Sequence, residues 1–305
     1  SLAAFVLTLT SAQASVVINE TNFPDENLRN YASQYDEDGN GTLSDAELAT
    51  ITSINAGGIL NLKGAEHFTN LEELHLWGYS EEESIREIDP SMFPKLYRFT
   101  LGECNGVTAL DFSRNTMFET IELSRCSNVQ ALSLPTSVKE IQLFGAPKLT
   151  ALDVSRLPNL IGLWLQHTGI TDLDFSNHPA IQLVSIQGGE DAVDKMNSLN
   201  LQNCATLENV DIRYTTIKSL SMKHLPIVRT LMMLNNDITT ITIDDCEEFN
   251  DITCDHNVLG TLSLTNNPQL RVVNCEDNRL QVLIADNCPV LGQVQVFNNQ
   301  LMWLD

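Results

Sequence analysis

Residues 249–285 read FNDITCDHNVLGTLSLTNNPQLRVVNCEDNRLQVLIA, and the pattern returns on itself every 21 residues. Phe249, Ile252, Cys254, Asn257, Leu259, Leu262 and Leu264 come back as Leu270, Val273, Cys275, Asn278, Leu280, Leu283 and Ala285. One copy earlier the same frame holds Val228, Leu231, Met233, Asn236, Ile238, Ile241 and Ile243. A fixed period of this size marks a stacked solenoid, in which each unit buries its apolar face only against its neighbours. The first apolar residues of a copy alternate, which predicts a short strand with one face inward; copies in register make a parallel sheet. Where the chain leaves that strand stands Asn236, Asn257, Asn278 or Asn299. A buried amide there can bond backbone groups of its own turn and of the adjacent one. The later alternation, Leu262 with Leu264 for example, predicts a second short strand on the opposite wall. A turn this short has little room for an ordinary helix, so the solenoid is expected to be β-rich.

Working outward, further copies start at Leu71, Leu96, Phe118, Val138, Leu160, Ile181, Leu207 and Leu291, after a degenerate first turn from Ile51. Before Asn236 the Asn slot holds Cys104, Cys126, Ala146, Thr168 and Thr215, so the array is regular late and worn early. Two acidic insertions, Tyr79–Ser84 and Gly188–Asn197, break the period and are expected to project from one edge. The corners before repeats often read N-x-P: Asn177-His178-Pro179, Asn266-Asn267-Pro268 and Asn287-Cys288-Pro289. On these features residues 51–305 resemble bacterial secreted and surface leucine-rich-repeat proteins such as internalins and BspA-like proteins. That resemblance implies a leucine-rich-repeat horseshoe with its parallel sheet on the concave face. It also implies extracellular protein binding or adhesion, with no catalytic residues to carry over.

Ahead of the array, residues 1–14 form an apolar run ending in Ala12-Gln13-Ala14, read as the remnant of a secretory signal peptide with Ser15 as the mature start. The run is far shorter than the roughly 20 residues of a membrane-spanning helix. Residues 15–50 are expected to form a small helical cap. Leu28, Tyr31, Ala32 and Tyr35 fall on one helical face, and Ser44 to Glu47 spells a capping box opening a second short helix. Between them Asp36 to Glu47 resembles an EF-hand loop position by position. That resemblance implies oxygens from Asp36, Asp38, Asn40 and Ser44, the Thr42 carbonyl and both Glu47 oxygens around one structural Ca²⁺. Gly41 supplies the sharp turn and Leu43 points inward. There is no second loop, although EF-hands normally come in pairs. The second short helix is expected to cover the open end of the solenoid.

The formal net charge is −23 over 305 residues. Nucleic acid and anionic lipid are thereby excluded as expected partners, since both need clustered Lys and Arg. The acidic insertions point toward a cationic partner. Seven cysteines follow the repeat. In-register neighbours sit about 4.7–4.9 Å apart, wider than the roughly 3.8 Å between Cβ atoms that a disulfide prefers. Disulfides are therefore not expected, and the cysteines read as small buried apolar residues. The six histidines show no H-E-x-x-H or paired spacing and accompany no nucleophile motif, so no catalysis is expected.

Exposed strand positions should line the concave face, and Trp77, Phe144, Trp164, His167 and Tyr214 are the candidate partner-binding residues, aromatic anchors being the usual hot spots. Phe144 and Trp164 belong to adjacent repeats and are expected to form one patch. The reading is a secreted or cell-surface protein that binds an extracellular protein or glycan. The alternative is a non-catalytic targeting or glycan-binding module of a larger secreted enzyme or surface protein, supported by an ending at Asp305 inside a repeat.

Overall fold

A computed structural model describes residues 15–79, 84–189 and 194–304. The signal-peptide reading of residues 1–14 and the centres of both insertions lie outside the described residues.

Twelve parallel strands, from Ser53–Gly57 to Gln293–Gln295, stack in chain order into one sheet, one strand per repeat. Register is kept throughout: Ile252 pairs with Leu231 on one side and Val273 on the other. The alternating residues of each strand are buried, as Leu74, Phe99, Ile121, Ile141, Leu163, Val184 and Val210 illustrate. The second wall also forms. Ser219–Lys223, Thr240–Asp244, Thr261–Ser263, Val282–Ile284 and Trp303–Leu304 make a five-stranded parallel sheet. Earlier turns carry only two-stranded pieces there, or short 3₁₀ turns at Ala65–His67, Pro90–Met92 and Val154–Arg156. The long sheet thus runs unbroken through the less regular first half, whereas this wall is interrupted there.

Each turn must bend sharply twice, and the backbone records where. Among the described residues the positive-φ residues other than glycine, with φ between 50 and 60°, fall in two columns. One holds Glu103, Arg125, His167, Tyr214, Asn235, His256, Asp277 and Asn298; the other holds Asn177, Asn203, His224, Asp245, Asn266 and Asn287. Asn, Asp and His tolerate this left-handed conformation better than most residues.

At most of these corners the following residue turns inward and satisfies carbonyls the bend exposes; after His224 it is the apolar Leu225. Asn257 Nδ2 donates to Met233 O of the preceding turn at 2.7 Å and to Cys254 O of its own at 3.0 Å. Its Oδ1 accepts from Ile238 N at 3.3 Å. Asn278 and Asn299 repeat the arrangement. At Asn236 the accepting oxygen takes Thr215 N and its hydroxyl instead. Behind the second corner runs a parallel ladder that the sequence reading did not pick out. Asn267 Nδ2 bonds Ile243 O and Leu264 O, and Cys246 N donates to its Oδ1 at 3.1 Å. His178 Nε2 is 2.9 Å from Leu157 O, and the Cys204 and Cys288 thiols donate to Phe175 O and Leu264 O at 3.0 Å. These cysteines therefore act as hydrogen-bond donors as well as small buried groups, and burial keeps them protonated by pushing the Cys204 thiol up to about 11.

Two expectations are corrected. Cys254 and Cys275, which share one strand slot, are joined by a disulfide. Their Cα atoms are 4.7 Å apart, inside the range of about 4.4–6.8 Å that disulfides span. The in-register spacing should be compared with that Cα range, because paired Cβ atoms can lean together. The other five cysteines are free. The second correction concerns the end of the solenoid. Helix α1 (Glu26–Ser33), which follows strand β1 (Ser15–Val17), docks there rather than the later helix. Its N-cap Asp25 accepts from Leu28 N and also from Leu60 N at 2.7 Å, Asn27 Nδ2 reaches Gly58 O, and Tyr31 OH donates to Ser53 O. Phe23, wholly buried, stacks on Phe68 with ring centroids 6.0 Å apart. After strand β2 (Thr42–Ser44), helix α2 (Asp45–Thr50) runs through buried Ile51 into the first solenoid strand.

Two outcomes follow from the corner and the disulfide. Asn267→Ala strands buried carbonyls and an amide and should destabilise the array by about 2–3 kcal/mol, read by chemical denaturation; an unchanged midpoint contradicts this. Alkylating the denatured, unreduced chain should label five thiols, whereas labelling of every cysteine contradicts the disulfide. Reducing it should cost about 3 kcal/mol on the chain-entropy account.

Candidate functional site

Two regions carry chemistry that the fold alone does not require. The first is the loop between α1 and β2. Gly39 and Gly41 take left-handed φ of 68° and 79°, which coils the backbone so that its amides point inward. Asp36 accepts from Asn40 N at 3.1 Å and Gly41 N at 2.8 Å. Glu47 reaches back from α2, accepting from Glu37 N at 2.9 Å with one oxygen and from Ser44 N at 2.8 Å with the other. Ser44 Oγ accepts from Glu47 N in return, so the capping box predicted from S-x-x-E is present.

These bonds bring Asp36, Asp38 and Glu47 together, with one carboxylate oxygen from each lying within 4.8 Å of the others. Among the described residues none of the three is in an ion pair with Lys, Arg or His. Asn40 is turned otherwise: its Oδ1 accepts from Thr42 N and Oγ1 at 2.8 and 2.6 Å. Ser44 Oγ also donates to Glu47. Hard carboxylate oxygens converging without a counter-charge suit a divalent cation of the Ca²⁺ type. Thr42 lies in β2, which pairs antiparallel with β1: Val17 opposite Thr42, Val16 opposite Leu43.

The second region is the concave sheet. Trp77, the last residue of Glu73–Trp77, faces outward with 37% of its surface exposed. His75 lies beside it, ring centroids 6.3 Å apart and planes 17° from parallel. His75 is held by Thr100 Oγ1 at 2.9 Å and Glu73 Oε2 at 3.1 Å, and the Tyr97 hydroxyl donates to the other Glu73 oxygen. That hydroxyl first, then His75, holds the Glu73 carboxyl below the ordinary carboxylate range. The Glu73–Tyr97–Thr100 network was not read from the sequence, though the outward alternation Glu73, His75, Trp77 carried the signal.

Phe144 and Trp164 do lie on adjacent strands but in different columns. Phe144 stands opposite Ser124 and Gln166, Trp164 opposite Gln142 and Ser185. Trp164 folds back over Gly162 of its own strand, and among the described ring contacts none joins it to Phe144. His167 and Tyr214 occupy left-handed corners at the ends of their strands rather than the middle of the face. His167 Nδ1 is 3.7 Å from Asp194 Oδ1. Asp194 is 7% exposed, and burial raises its pKa against the opposing pull of His167.

Charge on this face is uneven. Arg125, Lys139, Arg213 and Arg229 are paired with Glu103, Glu119, Asp211 and Glu208. Among the described residues Glu122, Glu140, Asp251 and Glu276 are in no ion pair, and neither are the bases Arg98, which stands opposite Glu73, and Arg271.

The chain matches no protein-family model and no curated protein. Among solved structures it is similar to the internalin InlF of Listeria monocytogenes, with a TM-score of 0.54 at 16% identity, over 97% of this chain and 99% of that one. The fold is a leucine-rich-repeat solenoid. The functional domain of InlJ from the same organism, which includes a cysteine ladder, gives 0.48 at 16% identity over 88% of this chain and 72% of that one. Internalin C2 gives 0.47 at 19% identity over 76% and 88%. At these identities the likeness is one of fold. Among the described residues no helix is long and apolar enough to cross a membrane.

The Glu47 carboxyl is held below its ordinary value first by Ser44 N–H, then by the Ser44 hydroxyl. A depressed folded value means these bonds stabilise the cap above about pH 4.3 and are lost as pH falls through the folded value. The Ser44 and Glu37 amide proton shifts in the metal-free chain should therefore titrate with a midpoint below about 4.3; a midpoint at or above it contradicts the assignment.

Proposed function

We propose that this chain is a secreted or cell-surface binding protein that engages an extracellular protein partner with a basic surface. The concave sheet does the binding and no catalysis is involved. The observation that carries the reading is the placement of large aromatic side chains on the outward side of strands whose inward side already completes the core. Ser124, Gln166, Gln187 and Arg213 fill the same column as Trp77 and Phe144, so the fold accepts small or polar residues there. Exposed aromatics on a rigid face are the residues that dominate interface energetics. The surplus of unpaired acids, with a net charge of −23, favours a cationic partner and faster encounter with it. The left-handed corners and the array's internal repetition give the face its rigidity.

The cap region completes the proposal: residues 36–47 hold one structural Ca²⁺ through Asp36, Asp38, Glu47 and the Thr42 carbonyl. Asn40 and Ser44 add oxygens after a side-chain rotation. Support comes from the three converged carboxylates and the two left-handed glycines.

Capture of extracellular partners should be lost on Phe144→Ala with Trp164→Ala while the melting temperature stays near wild type; unchanged capture sinks the concave-face reading. Adding Ca²⁺ should raise the melting temperature of the wild-type chain and leave Glu47→Gln unmoved, whereas equal behaviour of the two chains sinks the metal site.

A further inference from the structure

Among the described residues three aromatic rings on this surface lie against glycine backbone. A Cβ added at Gly102 would come within 2.5 Å of Trp77 Cδ1. One added at Gly57 would come within 2.8 Å of the Tyr79 hydroxyl, and one at Gly58 would enter the Tyr79 ring. Trp164 sits over Gly162 in the same way. Two of these seats are neighbours. Gly57, Trp77 and Gly102 are successive members of one column, on strands Ser53–Gly57, Glu73–Trp77 and Arg98–Gly102. Trp77 leans forward over the third strand and Tyr79 leans back over the first. Together they pave three strands at the start of the concave face.

The Trp77 half of this paving is packed in place before any ligand arrives. Any side chain at position 102 would lift the indole from the sheet, and His75 packs beside it, itself held by Thr100 and Glu73. Burial does not explain it, because Tyr79 is 70% exposed and Trp77 37%. A preorganised ring loses little freedom on binding, so more of its contact energy appears as affinity.

The charge around the rings selects among ligands. Aromatic faces carry negative potential and attract ammonium and guanidinium groups lying over the ring. Glu73, on the same strand, stays ionised below the ordinary carboxylate range. Arg98 stands opposite Glu73 on the next strand, four further bases of the face are tied to acids, and the chain as a whole is at −23. An anionic ligand would be repelled from such a surface.

We propose that Trp77 and Tyr79, seated on Gly102 and Gly57–Gly58, form a platform that takes arginine or lysine side chains of a basic protein segment. The proposal rests on the concave-face reading above and assigns its cation-binding end. Calorimetric titration of the full chain with an oligo-arginine peptide tests it, with an oligo-glutamate peptide and a neutral cello-oligosaccharide as comparisons. The wild-type chain should bind only the basic peptide, more weakly as salt rises. Trp77→Ala should lose about tenfold in affinity, Tyr79→Ala should also bind more weakly, and Trp77→Phe should fall between wild type and Trp77→Ala. If Trp77→Ala melts early, Trp77→Phe and Tyr79→Ala carry the comparison. Peptide binding unaffected by any of these substitutions overturns the platform, while the Phe144 and Trp164 substitutions still decide the concave-face reading separately. Binding of the neutral oligosaccharide through Trp77 in place of the peptide, or no binding of the peptide at all, also overturns it.

Discussion

Backbone carbonyls at the inside of a sharp bend have to be satisfied, and the rest of this structure depends on how that is done. A solenoid turn of this length bends twice, and each bend turns peptide groups into an interior without water. An unpartnered buried carbonyl costs about 1–3 kcal/mol, and the debt recurs in every turn. The chain meets it with a two-residue device: a left-handed residue such as His256 or Asn266, then an inward donor such as Asn257 or Asn267. The donor reaches the preceding turn as well as its own, so the same bonds that close one corner fix the register of the next strand.

Because corners and apolar columns set the fold, the outward columns of the long sheet are free of structural duty. Ser185, Gln166 and Arg213 stand where Trp164, Phe144 and Trp77 stand in other turns. What these columns carry is therefore informative about recognition. Glycines under the rings, a histidine beside one of them and acids in excess of paired bases describe a rigid, negative, partly aromatic surface. At the start of the array, Asp25 links α1 to Leu60, and Asn27 and Tyr31 link it to Gly58 and Ser53.

Much of the fold was legible because its determinants are local and periodic. The apolar frame of Phe249–Ala285, the Asn slot and the second alternation each map onto a feature with a fixed place in the turn. The second ladder was harder to read because Asn267, His178, Cys204 and Cys288 do one job with three chemistries. Only their shared position after a corner residue connects them. The Cys254–Cys275 disulfide was missed by comparing a strand spacing with a Cβ distance. The docking of α1 depends on Asp25, Asn27 and Tyr31 meeting backbone groups more than twenty residues away, which no local pattern encodes. At the concave site the aromatic residues were visible as outward positions in the strands. Their seating against glycine was not, because it joins residues of different repeats, as Trp77 and Gly102 do.

Hydrogen–deuterium exchange of the unliganded chain tests the central claim, that inward corner side chains hold the array. Amides that donate to the Asn side chains, Leu259, Leu280 and Cys246, should be among the slowest to exchange, close to those of the central strands. Exchange of these amides as fast as that of exposed loop positions would contradict it.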